Sequence, residues 1–164
     1  MGIPVYFKTI IQEYSDTIIH KGKLNDTIDF LFLDLNCLIH PCCRGLIDEN
    51  EMIEKILSEI DKLIEYTNVT DLLYIAIDGI APKAKMKQQR MRRYKKSYEN
   101  KYSVDKSWNT NNISPGTYFM NKLNNSLQIY SESVKIKCII SDSNERGEGE
   151  HKILQYIKGN HCNG

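Results

Sequence analysis

The chain has 164 residues, 41% of them apolar, and a formal net charge of +1. That length fits one domain with a buried core, while the near-neutral total excludes any argument about partners from global charge. No apolar stretch approaches the ~20 residues of a membrane span, and the opening MGIPVYFK lacks the residue order of a signal peptide, which points to an intracellular protein.

In chain order, Ile3 to Tyr14 has apolar residues at helical spacing, with Pro4 suited to a first turn. Ser15 to Asp26 is polar and reads as loop. Phe30 to Leu35 (FLFLDL) is a nearly continuous apolar run, the pattern of a buried parallel strand. Its one carboxylate, Asp34, is costly there unless paired or metal-bound, which makes it a candidate ligand. The plainer account is a cap or turn residue just past the strand.

Glu51 to Tyr66 places Met52, Ile53, Ile56, Leu57, Ile60, Leu63 and Ile64 on one face of an amphipathic helix. Asp71 to Ile77 (DLLYIAI) is a second buried strand, followed at once by Asp78. Pro82 to about Tyr98 reads as helix, and Glu99 to Asn112 as polar, unpatterned and mobile chain. Ser114 and Pro115 form a cap and first-turn pair for a helix through about Leu127. Lys135 to Ile140 is a third strand, Ser141 to Gly149 a turn region and Glu150 to Ile157 a last helix.

Alternating strands and helices imply an α/β fold with a parallel sheet flanked by helices. Sites in such sheets form beyond the carboxyl ends of the strands. Asp34, Asp78, Asp142, Glu148 and Glu150 all fall there. Converging carboxylates repel unless a cation sits among them, and oxygen ligands favour Mg²⁺ or Mn²⁺ over zinc. Glu148 and Glu150 are two apart, so both face one point only from a turn or helix entry, which Gly147 and Gly149 permit. Acids enriched in an ordinary first helical turn are the simpler alternative.

No acid occurs between Pro82 and Tyr98, where helical spacing puts Lys85, Gln89, Arg92, Arg93 and Lys96 on one face and Lys83, Lys87 and Arg90 on another. Donors converging in this way suit a terminal phosphate or nucleic acid, against the alternative of a merely solvated charged face. The five cysteines, Cys37, Cys42, Cys43, Cys138 and Cys162, follow no disulfide spacing. A zinc site drawn from His40, Cys42, Cys43, His161 and Cys162 lacks any C-x-x-C pair, and buried or surface thiols are the simpler account.

Five blocks in order resemble the XRN family of 5′→3′ exoribonucleases: MGIP at the start, LDLNCLIH (Leu33 to His40), YIAIDGIAPKAKMKQQRMRR (Tyr74 to Arg93), ISPGTYFM (Ile113 to Met120) and GEGEHKI (Gly147 to Ile153). The resemblance implies a PIN/flap-nuclease-like core over residues 1–164, truncated and incomplete relative to the family. By it, Asp34, Asp78, Glu148 and Glu150 would ligate catalytic Mg²⁺, with Mn²⁺ able to substitute and two ions in a complete site. Lys85, Gln89, Arg92 and Arg93 would hold the 5′-monophosphate of RNA, Lys85 also lying near the scissile phosphate, and His40 would stack on the terminal base. The expected activity is processive 5′→3′ release of nucleoside 5′-monophosphates in cytoplasmic RNA decay, with the nucleus as the other compartment. Cys37 stands where the family has a small residue, Arg146 where it has proline and Thr9 where an aromatic is common. The resemblance also implies further aspartates beyond Gly164, supplied by continued chain or by a second polypeptide. A catalytically weak 5′-phosphate RNA-binding module and a flap-type DNA nuclease stay open as alternatives.

Overall fold

The computed structural model describes residues 6–14, 27–101 and 108–161. Three parallel strands, β1 (Ile28–Asp34), β2 (Val69–Ala76) and β3 (Lys137–Ser141), lie in the order β1-β2-β3. The expected α/β architecture is therefore present. Among the described residues, six α-helices accompany them: α1 (Tyr6–Glu13), α2 (Asn36–Cys42), α3 (Glu49–Thr67), α4 (Lys83–Lys101), α5 (Tyr118–Ser133) and α6 (Gly149–His161).

β2, the central strand, is the run buried on both faces, whereas β1, expected to be buried, is an edge strand that is only partly covered, with Phe30 50% exposed. Leu73 and Ile75 of β2 join a core with Met52, Ile56 and Ile60 of α3 and with Phe119, Leu123 and Leu127 of α5. On the opposite face, Phe32 and Tyr74 meet Tyr156 of α6, with the Tyr74 and Tyr156 ring centroids 4.5 Å apart. Asp48 caps α3 by accepting from the Asn50 and Glu51 N–H groups at 2.6 and 3.1 Å, and Asn68 in the left-handed region ends the helix.

Several sequence expectations need correction. α2 occupies a stretch to which no helix had been assigned, because Pro41 and an apolar run directly after β1 disguise it. The helix expected to open at Ser114 and Pro115 begins at Tyr118 and runs to Ser133. Its cap is Thr117, whose hydroxyl accepts from the Met120 N–H, while Ser114 is buried in the preceding turn. The chain expected to be mobile as far as Asn112 is helical to Lys101. From Trp108 it is held in place: Trp108 packs edge-on against Phe119 at 4.9 Å and donates to Glu49. Residues 110–112 then form a short 3-10 turn. Residues 3–5 of the first expected helix, the loop 15–26 and residues 102–107 lie outside the described residues.

The strand ends that bear the site are tied to one another. The Leu35 N–H donates to the Ala76 carbonyl and the Ile77 N–H to the Ser141 carbonyl, both at 2.9 Å, extending the ladder one residue past each strand. Beyond it, the Gly79 N–H donates to the Gly147 carbonyl at 2.8 Å and the Gly147 N–H to the Ile80 carbonyl at 3.2 Å. A Cβ on Gly79 would sit 1.6 Å from the Glu145 carbonyl oxygen, so only glycine permits this approach.

Candidate active site

Asp34 ends β1 and is half-buried. Burial raises its carboxyl above the ordinary range, and the neighbouring Asp78 adds to the shift. The Asn36 N–H, donating at 3.3 Å, opposes it, while Glu150 and Glu148 push it further up. Asp78 lies two residues past β2, where its Oδ1 accepts from the Gly149 N–H at 2.8 Å and its own N–H donates to Asn36 Oδ1 at 3.3 Å. Gly149 is thus wedged between the two aspartates. A Cβ there would come within 2.6 Å of Asp34 Oδ1.

Glu148 is buried just before α6, and Glu150 is in the first turn of that helix. One ligand atom each from Glu148, Glu150 and His151 lies within 4.8 Å of the others. His151 was not among the residues singled out from sequence. Lys85, on the first turn of α4, donates from Nζ to Glu148 Oε2 and joins the basic helix to the acidic edge.

Lys152 was also missed. It is 5% exposed, and its ammonium donates to the Ile77 carbonyl at 2.8 Å and to the Asp142 carbonyl at 2.6 Å. It fastens the residue before Asp78 to the start of the loop that carries Glu148. Burial lowers its pKa, an effect opposed by the charges of Glu145, Asp142 and Asp78. Asp142 serves this loop, its carboxylate accepting from the Asn144 N–H at 2.8 Å.

A cavity of about 640 Å³ opens beside this edge and is lined by Asp78, His40, Gln89, Arg92 and Arg93. Asn36, Cys37 and the segment around Thr110 to Pro115 form its other walls. Asp34, Glu148 and Glu150 do not line it, and Lys85 reaches Glu148 instead. The side chain of Lys96 lies outside the described ones. Cys42 and Cys43 are packed in the core, while Cys162 and the His161 side chain lie outside the described residues, so the described residues assemble no cysteine metal group.

A family model described as XRN 5'-3' exonuclease N-terminus matches residues 1–164. The chain belongs to the XRN family. Its relatives include a Saccharomyces cerevisiae protein named 5'-3' exoribonuclease 1, 35% identical over 96% of this chain and 12% of its own length. A Drosophila melanogaster protein named 5'-3' exoribonuclease 2 homolog is 32% identical over 96% of this chain and 24% of its own length. A Gallus gallus 5'-3' exoribonuclease 2 is 30% identical over 96% of this chain and 22% of its own length. The XRN chain thus spans a quarter or less of these curated relatives. Among the described residues, no helix is long and apolar enough to cross a membrane.

Proposed function

We propose that this XRN chain forms the 5′-end-recognising part of a 5′→3′ exoribonuclease, residues 1–164 making one nuclease domain that acts on 5′-monophosphate RNA in intracellular RNA decay. The observation that carries the reading is the single cavity in which Asp78 meets His40, Gln89, Arg92 and Arg93. Two guanidiniums and an amide on one helix face grip a terminal phosphate, Arg offering paired N–H donors to its oxygens. His40 is exposed on the cavity wall and would stack on the terminal base.

The donor set fits a hard divalent cation. Asp34 is half-buried among three like charges, an arrangement whose cost a cation removes. Asp34, Asp78, Glu148 and Glu150 would hold Mg²⁺. The nearby His151 imidazole would suit Mn²⁺ as a substitute. Such ions, when bound, would polarise a phosphoryl oxygen and lower the pKa of a water they hold. The Gly149 N–H orients the Asp78 carboxylate, and Lys152 fixes the loop from which Glu148 projects. Lys85 donates to Glu148, so a scissile phosphate brought beside it would compete with that acid for one ammonium.

A 5′-phosphate RNA-binding module is the second reading, favoured because only Asp78 among the four acids lines the cavity. Incubation with 5′-monophosphate RNA and Mg²⁺, beside 5′-hydroxyl RNA and the Asp78→Ala variant, separates the two. Mononucleotide release that needs both the 5′-phosphate and Asp78 supports the nuclease. Phosphate-dependent binding without turnover sinks the nuclease reading for the isolated chain and supports the module. Turnover gained only on adding a second polypeptide, one carrying the sequence present in the longer relatives, would assign the remaining ligands to that partner.

A further inference from the structure

The basic helix α4 has a second charged face that the phosphate cavity does not use. Lys83, Lys87, Arg90 and Tyr94 recur at spacings of four, three and four residues, so they form one stripe along the helix. They line a groove of about 910 Å³, separate from the cavity beside Asp78. The two hollows share Gln89, Arg93 and Asn111, which form a ridge between them.

Two observations argue against a merely solvated face. Ordinary helix surfaces interleave both signs, yet α4 has no acid before Glu99. Tyr94 is also 72% exposed and Met86 49% exposed in the same groove, so apolar surface is held in water beside the cations. Cations with an exposed aromatic ring are the combination that holds single-stranded nucleic acid, the charges tracking the backbone while a base stacks on the ring. An acidic protein surface would match the charge but leave the ring without a planar partner.

The groove also has a defined position. Lys85, on the opposite side of α4, points to Glu148, so the stripe of Lys83, Lys87 and Arg90 faces away from the acidic edge. The nucleotide being removed would lie between the phosphate cavity and the acids. Backbone in the groove therefore belongs to another part of the RNA.

We propose that the outer face of α4 is a second RNA site, formed by Lys83, Lys87, Arg90 and Tyr94, which binds single-stranded RNA internally and without a free end. That RNA is the ligand rests on the function proposed above. The site would retain the substrate while the 5′ end is not seated, and would raise the local concentration of that end near the cavity.

A circular single-stranded RNA tests this, because it has no 5′ end for the cavity to grip. Binding is followed by fluorescence anisotropy in EDTA with the full chain. Combined Lys83→Ala, Lys87→Ala and Arg90→Ala changes are expected to weaken circular RNA about tenfold or more and to flatten the salt dependence by about 2 units of slope. Tyr94→Ala is expected to cost about tenfold at constant salt slope. Arg92→Ala should leave circular RNA unaffected while weakening linear 5′-monophosphate RNA, and circular dichroism verifies that each variant is folded. Circular RNA bound equally by wild type and the triple variant overturns the proposal. So does an equal loss in Arg92→Ala, or displacement of the RNA by polyglutamate as effectively as by unlabelled RNA. If linear RNA binds without regard to its 5′-phosphate while circular RNA still needs the stripe, the end-recognition reading fails and the groove stands.

Discussion

At the scale of single residues, the site depends on backbone and on one buried cation as much as on its acids. A methyl group on Gly149 would press on Asp34 Oδ1, and the residue's N–H holds Asp78. Gly149→Ala is therefore expected to weaken Mn²⁺ binding at least tenfold, as measured by paramagnetic titration, with only a small change in thermal midpoint. Lys152→Met would leave the buried Ile77 carbonyl and the part-buried Asp142 carbonyl without their charged donor. We expect it to cost about 2–3 kcal/mol in urea unfolding, since each lost bond has a charged donor. Asp34→Asn should act in the opposite direction, raising the melting temperature of the metal-free protein by a few degrees, because it removes a half-buried charge from among like neighbours. If the Asn variant melts lower than wild type, the crowding of charge at this edge does not govern stability.

The helices and strands differ in how plainly the sequence announces them. β2 and α3 could be read directly, one from the apolar run that begins at Leu72 and the other from apolar residues every three to four positions. α2 could not, since a seven-residue helix containing Pro41 has too few turns to set up a period. The cap of α5 was misplaced because Ser114-Pro115 satisfies the same chemical rule as Thr117, and only packing decides between them. The same limit applied at the site. The acids and the basic residues of α4 declared themselves by type, whereas Asn36, Lys152 and the wall from Thr110 to Pro115 act through positions that only the folded backbone defines. The helix that dominates the proposed function is α4, and its two faces make separable predictions. Arg92→Ala is expected to reduce affinity for 5′-monophosphate RNA about tenfold or more through loss of charge-assisted hydrogen bonds. Affinity for 5′-hydroxyl RNA should stay within about twofold, a ratio read from parallel binding curves.

At the scale of the molecule, the sheet brings together side chains that are distant in sequence. Parallel strands β1, β2 and β3 all deliver their carboxyl ends to one edge, where Asp34, Asp78 and Glu148 gather. A divalent cation bound there engages only the folded chain, so it should raise stability by mass action, about 2.7 kcal/mol at a hundredfold excess over its dissociation constant. Thermal melts in Mg²⁺ and in EDTA measure this, and coincident midpoints would argue against a cation site at the edge.

The hydrogen bond from the Gly149 N–H to Asp78 spans 71 positions of chain. Contacts of such separation close late, after the entropy of the intervening loop has been lost. We predict that the acidic edge, whose like charges repel until a cation binds, consolidates after the folding transition state. Mg²⁺ should then slow unfolding in stopped-flow experiments while leaving the refolding rate nearly unchanged. The protein would wait for its ion only after the chain had already committed to its shape.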